Sequence, residues 1–182
     1  MAGLIRTVVA PHTPRMGIEE QAPDFVRALI QGQREMGEEI RAEKPDVLII
    51  NSAHWVCTFN WHVTCQAEHK GRCVADEAPE LIDGVPYQWK GDPELARAIL
   101  TEFSEADIPG NPNDTPHFQW DYGSWVPAKY LDPQAEVPII LIGAVVSADI
   151  EECLKAGAAI RRAVEQTGRR AVFAASCSFT HE

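Results

Sequence analysis

Residues 47–50, Val-Leu-Ile-Ile, run directly into Asn51, Ser52, Ala53, His54 and Trp55. Four apolar residues are too few for a helix of their own, but they suit a strand buried on both faces of a parallel sheet. In such sheets ligands bind just beyond the carboxyl ends of the strands, so a polar residue planted there faces a crevice and not the core. His54 has that position. Two further apolar runs end in the same way: residues 4–10 lead into Pro11 and His12, and residues 171–175 lead through Ser176, Cys177 and Ser178 to His181. A single strand-end histidine is ordinarily a surface or hydrogen-bonded residue. Three of them on one sheet can converge on one metal or one substrate.

The segments between these runs alternate helix and strand signals. Over residues 24–43, Phe25, Val26, Leu29, Ile30, Met36 and Ile40 recur at helical spacing, with Arg34, Glu38, Glu39 and Arg41 on the other side. This predicts a covering helix that Lys44-Pro45-Asp46 ends, giving a right-handed strand-helix-strand crossover; Met36 reads as core filling. Asp92-Pro93 starts another helix, a capping side chain followed by proline at the first helical position. Its apolar face is Leu95, Ala96, Ile99, Leu100 and Phe103. A short helix is expected over residues 126–131, a buried strand over 137–146, and a third long helix over 147–165. The last carries Ile150, Cys153, Leu154, Ile160 and Val164 on one stripe, with Gly157 inside it to let the helix approach the sheet and Gly168 as terminator.

After Trp55 the pattern changes. Residues 58–65 are rich in β-branched and aromatic side chains and predict an antiparallel strand, and strand-like pieces at 72–75 and 85–89 lie among Gly71, Pro79, Gly84 and Pro86. Together they predict a β-rich excursion near the mouth of the site. His62 either approaches that mouth or faces solvent, and His69 reads as an exposed turn residue. Residues 111–125 form a candidate binding loop in which three aromatic rings, Phe118, Trp120 and Trp125, accompany Asp121 and Tyr122. Such rings suit a flat aromatic substrate, or pack the loop onto the core. The expected fold is a single α/β domain over residues 1–182, with a mostly parallel central sheet flanked by helices.

Composition narrows the partners. Acidic residues outnumber basic ones 27 to 16, for a formal net charge of -11, and no Lys/Arg cluster offsets that repulsion, so nucleic acid is not expected. A small anionic substrate depends on a metal or on a local cation such as Arg15, in the HTPRMG turn. The five cysteines are odd in number and show no CxxC spacing, which predicts reduced thiols. The amino terminus lacks a signal-peptide pattern, and the longest apolar run is broken by Pro138 and Gly143, so a soluble, cytoplasmic chain without a membrane span is expected.

A ferrous site that admits both substrate and oxygen needs few protein ligands, an arrangement met by two histidines and one carboxylate. His12 and His54 are the natural imidazoles, and His181 is the best remaining group for moving protons near neutral pH. The motifs APHTPRM, KPDVLIINSAHW, WDYGSWVPAKYL and GRRAVFAASCSFTH, in that order, resemble the superfamily of class III extradiol ring-cleavage dioxygenases. The DYG form is closer to the homoprotocatechuate 2,3-dioxygenase and 2-aminophenol 1,6-dioxygenase branches than to the protocatechuate 4,5-dioxygenase type, which carries DHG.

The resemblance implies Fe(II)-dependent cleavage of a catechol or 2-aminophenol type ring with O2. In it, His12 and His54 match the iron-binding histidines, His181 matches the acid-base histidine, and Tyr122 matches the residue that hydrogen-bonds substrate or bound oxygen. His62 falls where relatives carry a histidine after the AHW strand, which implies substrate contact. Two-subunit assemblies in the superfamily imply association with a second copy or a homologous chain. The third ligand implied is a glutamate well downstream of SFTH, where this sequence has no residues, and Glu182 does not match it. An amino-terminal portion of a longer enzyme is therefore expected; the other reading is a non-catalytic homologous subunit or binding module with an incomplete metal site.

Overall fold

The apolar runs pair as parallel strands whose carboxyl ends meet at one edge of the protein. The computed structural model describes residues 2–82 and 84–177. Its strands are β1 (Gly3–Val9), β2 (Val47–Cys57), β3 (Trp61–Thr64), β4 (Glu68–Arg72), β5 (Pro86–Lys90), β6 (Gly110–Asn113), β7 (Ile139–Val145) and β8 (Arg170–Ser176). Its α-helices are α1 (Asp24–Ala42), α2 (Pro79–Ile82), α3 (Pro93–Glu105), α4 (Tyr122–Leu131) and α5 (Ile150–Gln166). The main sheet has the order β1-β8-β2-β7-β3-β6. The first four strands run parallel, β3 joins β7 antiparallel, and β6 pairs parallel with β3. Strands β4 and β5 form a separate antiparallel ribbon, the expected excursion, although its first strand is Glu68–Arg72 and not the piece expected at 72–75.

The alternation within β2 explains why its run is apolar throughout. Leu48 and Ile50 enter the core under α1 and α4, beside Val26, Ile30, Ile40, Val126 and Leu131. Val47 and Ile49 face the other way, beside Leu95, Ile99 and Phe103 of α3 and Ile160 and Val164 of α5. All four are fully buried, each side chain contributing roughly 1.5–3 kcal/mol of hydrophobic stabilisation. Asp92 caps α3 as its sequence position predicts, accepting the Leu95 N–H at 3.0 Å.

Several local expectations are corrected. In α5, Ile150 and Leu154 are 80% and 70% exposed, and the face against the sheet consists of Ala156, Ala159, Ile160, Ala163 and Val164. Small alanines let α5 sit close to the sheet, a role assigned to Gly157. A Cβ at Gly157 would meet nothing within 4 Å, because this residue borders an open apolar groove beside Leu4 and Phe173. In α1, Phe25 and Leu29 are exposed; the buried face is Val26, Ile30, Gln33, Gly37 and Ile40, and Phe25 lies about a quarter turn off it. His69 is buried in β4, with Nε2 3.0 Å from Ile139 O, and that burial lowers its pKa. Trp120 is fully buried and stacks on Tyr87 and Trp89, with centroids 4.6 and 5.4 Å away. It packs the β4-β5 ribbon onto the core.

Candidate active site

His54 lies in a β-bulge. Strand β2 continues to Cys57, but its register against β7 jumps from Ser52↔Gly143 to Val56↔Ala144, so Ala53, His54 and Trp55 leave the ladder. A bulge bends the strand and re-aims its side chains. Gly143 makes room for it: a Cβ there would stand 2.6 Å from Cys57 Sγ and 3.0 Å from Trp55 O. Ser52 fixes the start of the bulge, accepting the His54 N–H at 3.2 Å and donating its hydroxyl to Asp121 Oδ1 at 2.7 Å. Asp121 also caps α4, accepting from the Ser124 N–H and hydroxyl, each at 2.9 Å. One carboxylate thus joins β2 to the start of α4, which begins at Tyr122, four residues before the helix expected at 126.

His12 follows β1 and is nearly buried. The Gln33 amide of α1 donates to Pro11 O, and the Ala10 N–H donates to Ala175 O at 2.9 Å, holding the chain as it leaves the sheet. The next turn is tied to α4, since the Tyr130 hydroxyl donates to Met16 O at 2.6 Å and Lys129 Nζ to Gly17 O at 2.9 Å. These contacts bring His12, His54 and Tyr122 together. The two imidazole centroids are 4.8 Å apart, edge to face, and the Tyr122 ring lies 4.0 Å from His54 and 5.7 Å from His12.

The tautomer of His12 follows from a proline. Pro127, inside α4, has no N–H to donate to the carbonyl four residues back, so Gly123 O lacks its helical partner. The buried Ser176 hydroxyl, at the end of β8, donates to that carbonyl. Having spent its one proton there, Ser176 Oγ can only accept from His12 Nδ1, 2.8 Å away. The Nδ1–H tautomer puts the lone pair of His12 on Nε2, the arrangement of a metal-binding imidazole held through its other nitrogen. Gly123 itself admits no side chain: a Cβ would fall 2.8 Å from Ser52 Oγ, 2.9 Å from Asp121 Oδ1 and 3.1 Å from His54 Cδ2.

A cavity of about 310 Å³ opens beside His54 and Tyr122. Trp55 and Phe118, with centroids 4.6 Å apart, form an apolar wall, and Asp76, Glu77 and Asp121 supply carboxylates. The volume is at the small end of ligand pockets and suits one aromatic ring. Burial, followed by the negative charges of Glu77 and Asp121, pushes the Tyr122 phenol up to about 12. At neutral pH Tyr122 is therefore a hydrogen-bond donor and not a base.

The sequence-predicted residues fare differently. His12, His54 and Tyr122 come together, with His54 and Tyr122 lining the cavity and His12 behind them. His62 does not line it; its ring lies 6.1 Å from Trp55, which does. Arg15 is exposed in the short turn Pro14–Met16 and does not line it either. His181 lies outside the described residues, as do Ser178 and Glu182. Sequence reasoning missed Ser52, Glu77, Gly123, Pro127 and the cap role of Asp121. Only the last had a sequence signal, an aspartate three residues before Ser124 at a helix start. Among the described residues no group of three His, Cys, Asp or Glu side chains is arranged to hold a metal. The donor chemistry of the His12-His54 pair nevertheless fits a ferrous ion, because imidazole nitrogens are suitable iron ligands and the His12 tautomer directs a lone pair from Nε2.

The chain is similar to known proteins over most of its length. The chain is 27% identical over 174 residues to 3,4-dihydroxyphenylacetate 2,3-dioxygenase of Escherichia coli, covering 93% of this chain and 63% of that protein. It is 28% identical over 192 residues to the 2-aminophenol 1,6-dioxygenase beta subunit of a Pseudomonas species, covering 98% and 63%. The chain thus spans less than two thirds of the length of either relative. The fold resembles the crystal structure of an uncharacterized protein from Escherichia coli K12, with a TM-score of 0.58, 21% identity, and coverage of 92% of this chain and 57% of that one. Residues 6–182 match the family described as the catalytic LigB subunit of aromatic ring-opening dioxygenase, and the chain belongs to that family.

Proposed function

We propose that this protein is an Fe(II)-dependent extradiol dioxygenase that opens the ring of a catechol or 2-aminophenol type substrate with O2. The observation that carries the reading is the convergence of His12, His54 and Tyr122 at one ring-sized cavity, with the His12 tautomer set by Ser176. In this reading His12 and His54 hold the metal. The chemistry a ferrous ion supplies when bound is chelation of the ring's adjacent hydroxyl or amine groups and activation of oxygen beside them. Trp55 and Phe118 stack against the ring and exclude water, Tyr122 donates a hydrogen bond to substrate or oxygen, and His181 takes and returns the substrate proton.

The partner in the same reading is a second copy or a homologous chain, supported by the relative named as a beta subunit. A cytoplasmic location is supported by cysteines that form no disulfide among the described residues. No helix of the described residues is long and apolar enough to cross a membrane.

The test is oxygen uptake by the protein loaded anaerobically with Fe(II), against homoprotocatechuate, protocatechuate and 2-aminophenol. Consumption with a ring-opened product, abolished together with iron binding in His54→Ala, is the expected result. Iron uptake undiminished in His54→Ala overturns the assignment of the metal site. No iron uptake by the unmodified protein favours the other reading, a homologous subunit without oxygen chemistry.

A further inference from the structure

The excursion after β4 delivers a carboxylate to the site from an anchored turn. Val74 is tied to the start of α4 by its N–H to Trp120 O at 2.8 Å and by a parallel bridge to Asp121. The Ala78 N–H closes on Ala75 O at 3.0 Å, and both alanines are buried. Asp76 and Glu77 are left at the tip, facing the cavity. Glu77 Oε1 stands 3.5 Å from His54 Nδ1.

We infer that Glu77 is a positioning residue: its carboxylate sets the orientation and tautomer of His54. An acceptor beside Nδ1 keeps the proton on that nitrogen, leaves the lone pair on Nε2 and raises its basicity toward a metal. His12 receives the same treatment from the Ser176 hydroxyl. The two imidazoles are thus each held through Nδ1, one by β8 and one by the excursion, and each presents Nε2. Glu77 also borders the cavity directly, lining it beside His54 and Tyr122. Its side chain is 60% exposed, so its contribution to folding is small and its removal separates the site from stability. The inference rests on the metal-binding reading of the site.

The test compares the unmodified protein with Glu77→Ala and Glu77→Gln. Each is titrated with Co(II) as a spectroscopic stand-in for Fe(II). The ring nitrogen shifts of His54 are recorded by NMR in the metal-free protein, at alkaline pH where imidazoles are neutral. The expected result is an Nδ1–H His54 in the unmodified protein, Co(II) affinity weakened roughly 10–100-fold in Glu77→Ala, and an intermediate loss in Glu77→Gln, which keeps an acceptor without the charge. Melting temperatures of the three should agree. Unchanged affinity overturns the inference, and so does an Nε2–H His54 in the unmodified protein. A loss as complete as that in His54→Ala also overturns it, because Glu77 would then be a ligand. If the unmodified protein takes up no Co(II), the metal reading fails by itself; the His54 tautomer then decides, and one that does not respond to Glu77→Ala overturns the positioning role.

Discussion

Ser176→Ala isolates the link between a helix-breaking residue and a histidine. The hydroxyl is buried, and its loss removes the donor to Gly123 O and the acceptor for His12 Nδ1. Leaving a buried polar group without its hydrogen bond costs about 1–3 kcal/mol. Taking the low end for each of two groups gives about 2 kcal/mol, and in a domain of this size about 2–4 °C of melting temperature accompanies each kcal/mol. A drop of roughly 4–8 °C is therefore expected in a thermal denaturation scan. The second effect is chemical. Without an acceptor at Nδ1, His12 is free to carry its proton on either nitrogen, and loss of such a partner typically weakens metal binding 10–100-fold, about 1.4–2.7 kcal/mol. Co(II) titration reads this directly. A lowered melting temperature with undiminished affinity would refute the tautomer argument, and weakened affinity at an unchanged melting temperature would refute the burial energetics.

Gly123→Ala should cost about 1–3 kcal/mol by overpacking against Ser52, Asp121 and His54 and should also weaken Co(II) binding; an unperturbed melting temperature and affinity would show that the clamp is looser than its distances imply. Tyr122→Phe should fold normally and bind Fe(II), yet slow turnover in the oxygen-uptake assay, and an unchanged rate would relegate the hydroxyl to packing. All three tyrosines of the chain have raised phenol pKa values, Tyr122 and Tyr130 up to about 12, with burial the main cause in each. The folded protein therefore binds more phenolic protons than the unfolded chain between about pH 10, the ordinary tyrosine value, and about pH 12, so stability should fall as pH rises through that window. An ultraviolet titration in which the tyrosines of the folded protein ionise at the ordinary value would contradict this.

Much of the scaffold was legible because it depends on local periodicity. The apolar run at 47–50, the helical spacing in α1 and the Asp92-Pro93 start of α3 are signals a chain carries irrespective of its partners. The pairing of His12 with His54 was legible one level up, since parallel strands joined by a helix bring their carboxyl ends to the same edge. Other features depend on what lies across a gap in sequence. The bulge at Ala53, His54 and Trp55 exists only against β7, where Gly143 leaves room, so the sequence suggested an abrupt strand end. His69 looked like a turn residue because nothing near it in sequence announces that Ile139 O will meet its ring. Of the three rings in the predicted loop only Phe118 reached the cavity wall; Trp120 went to the ribbon, a choice made by Tyr87 and Trp89.

By itself the sequence determined an α/β fold and histidines at the carboxyl ends of parallel strands, because strand periodicity and termination are local and the crossover has one hand. Tertiary structure decided how those histidines are held. Ser176 and Gly123 are 53 residues apart in the chain, and Glu77 reaches His54 from a separate ribbon. A hydrogen bond between such groups is fixed by the sheet order and by the carbonyl that Pro127 leaves unpaired, and neither can be read from the spacing of the residues that form it.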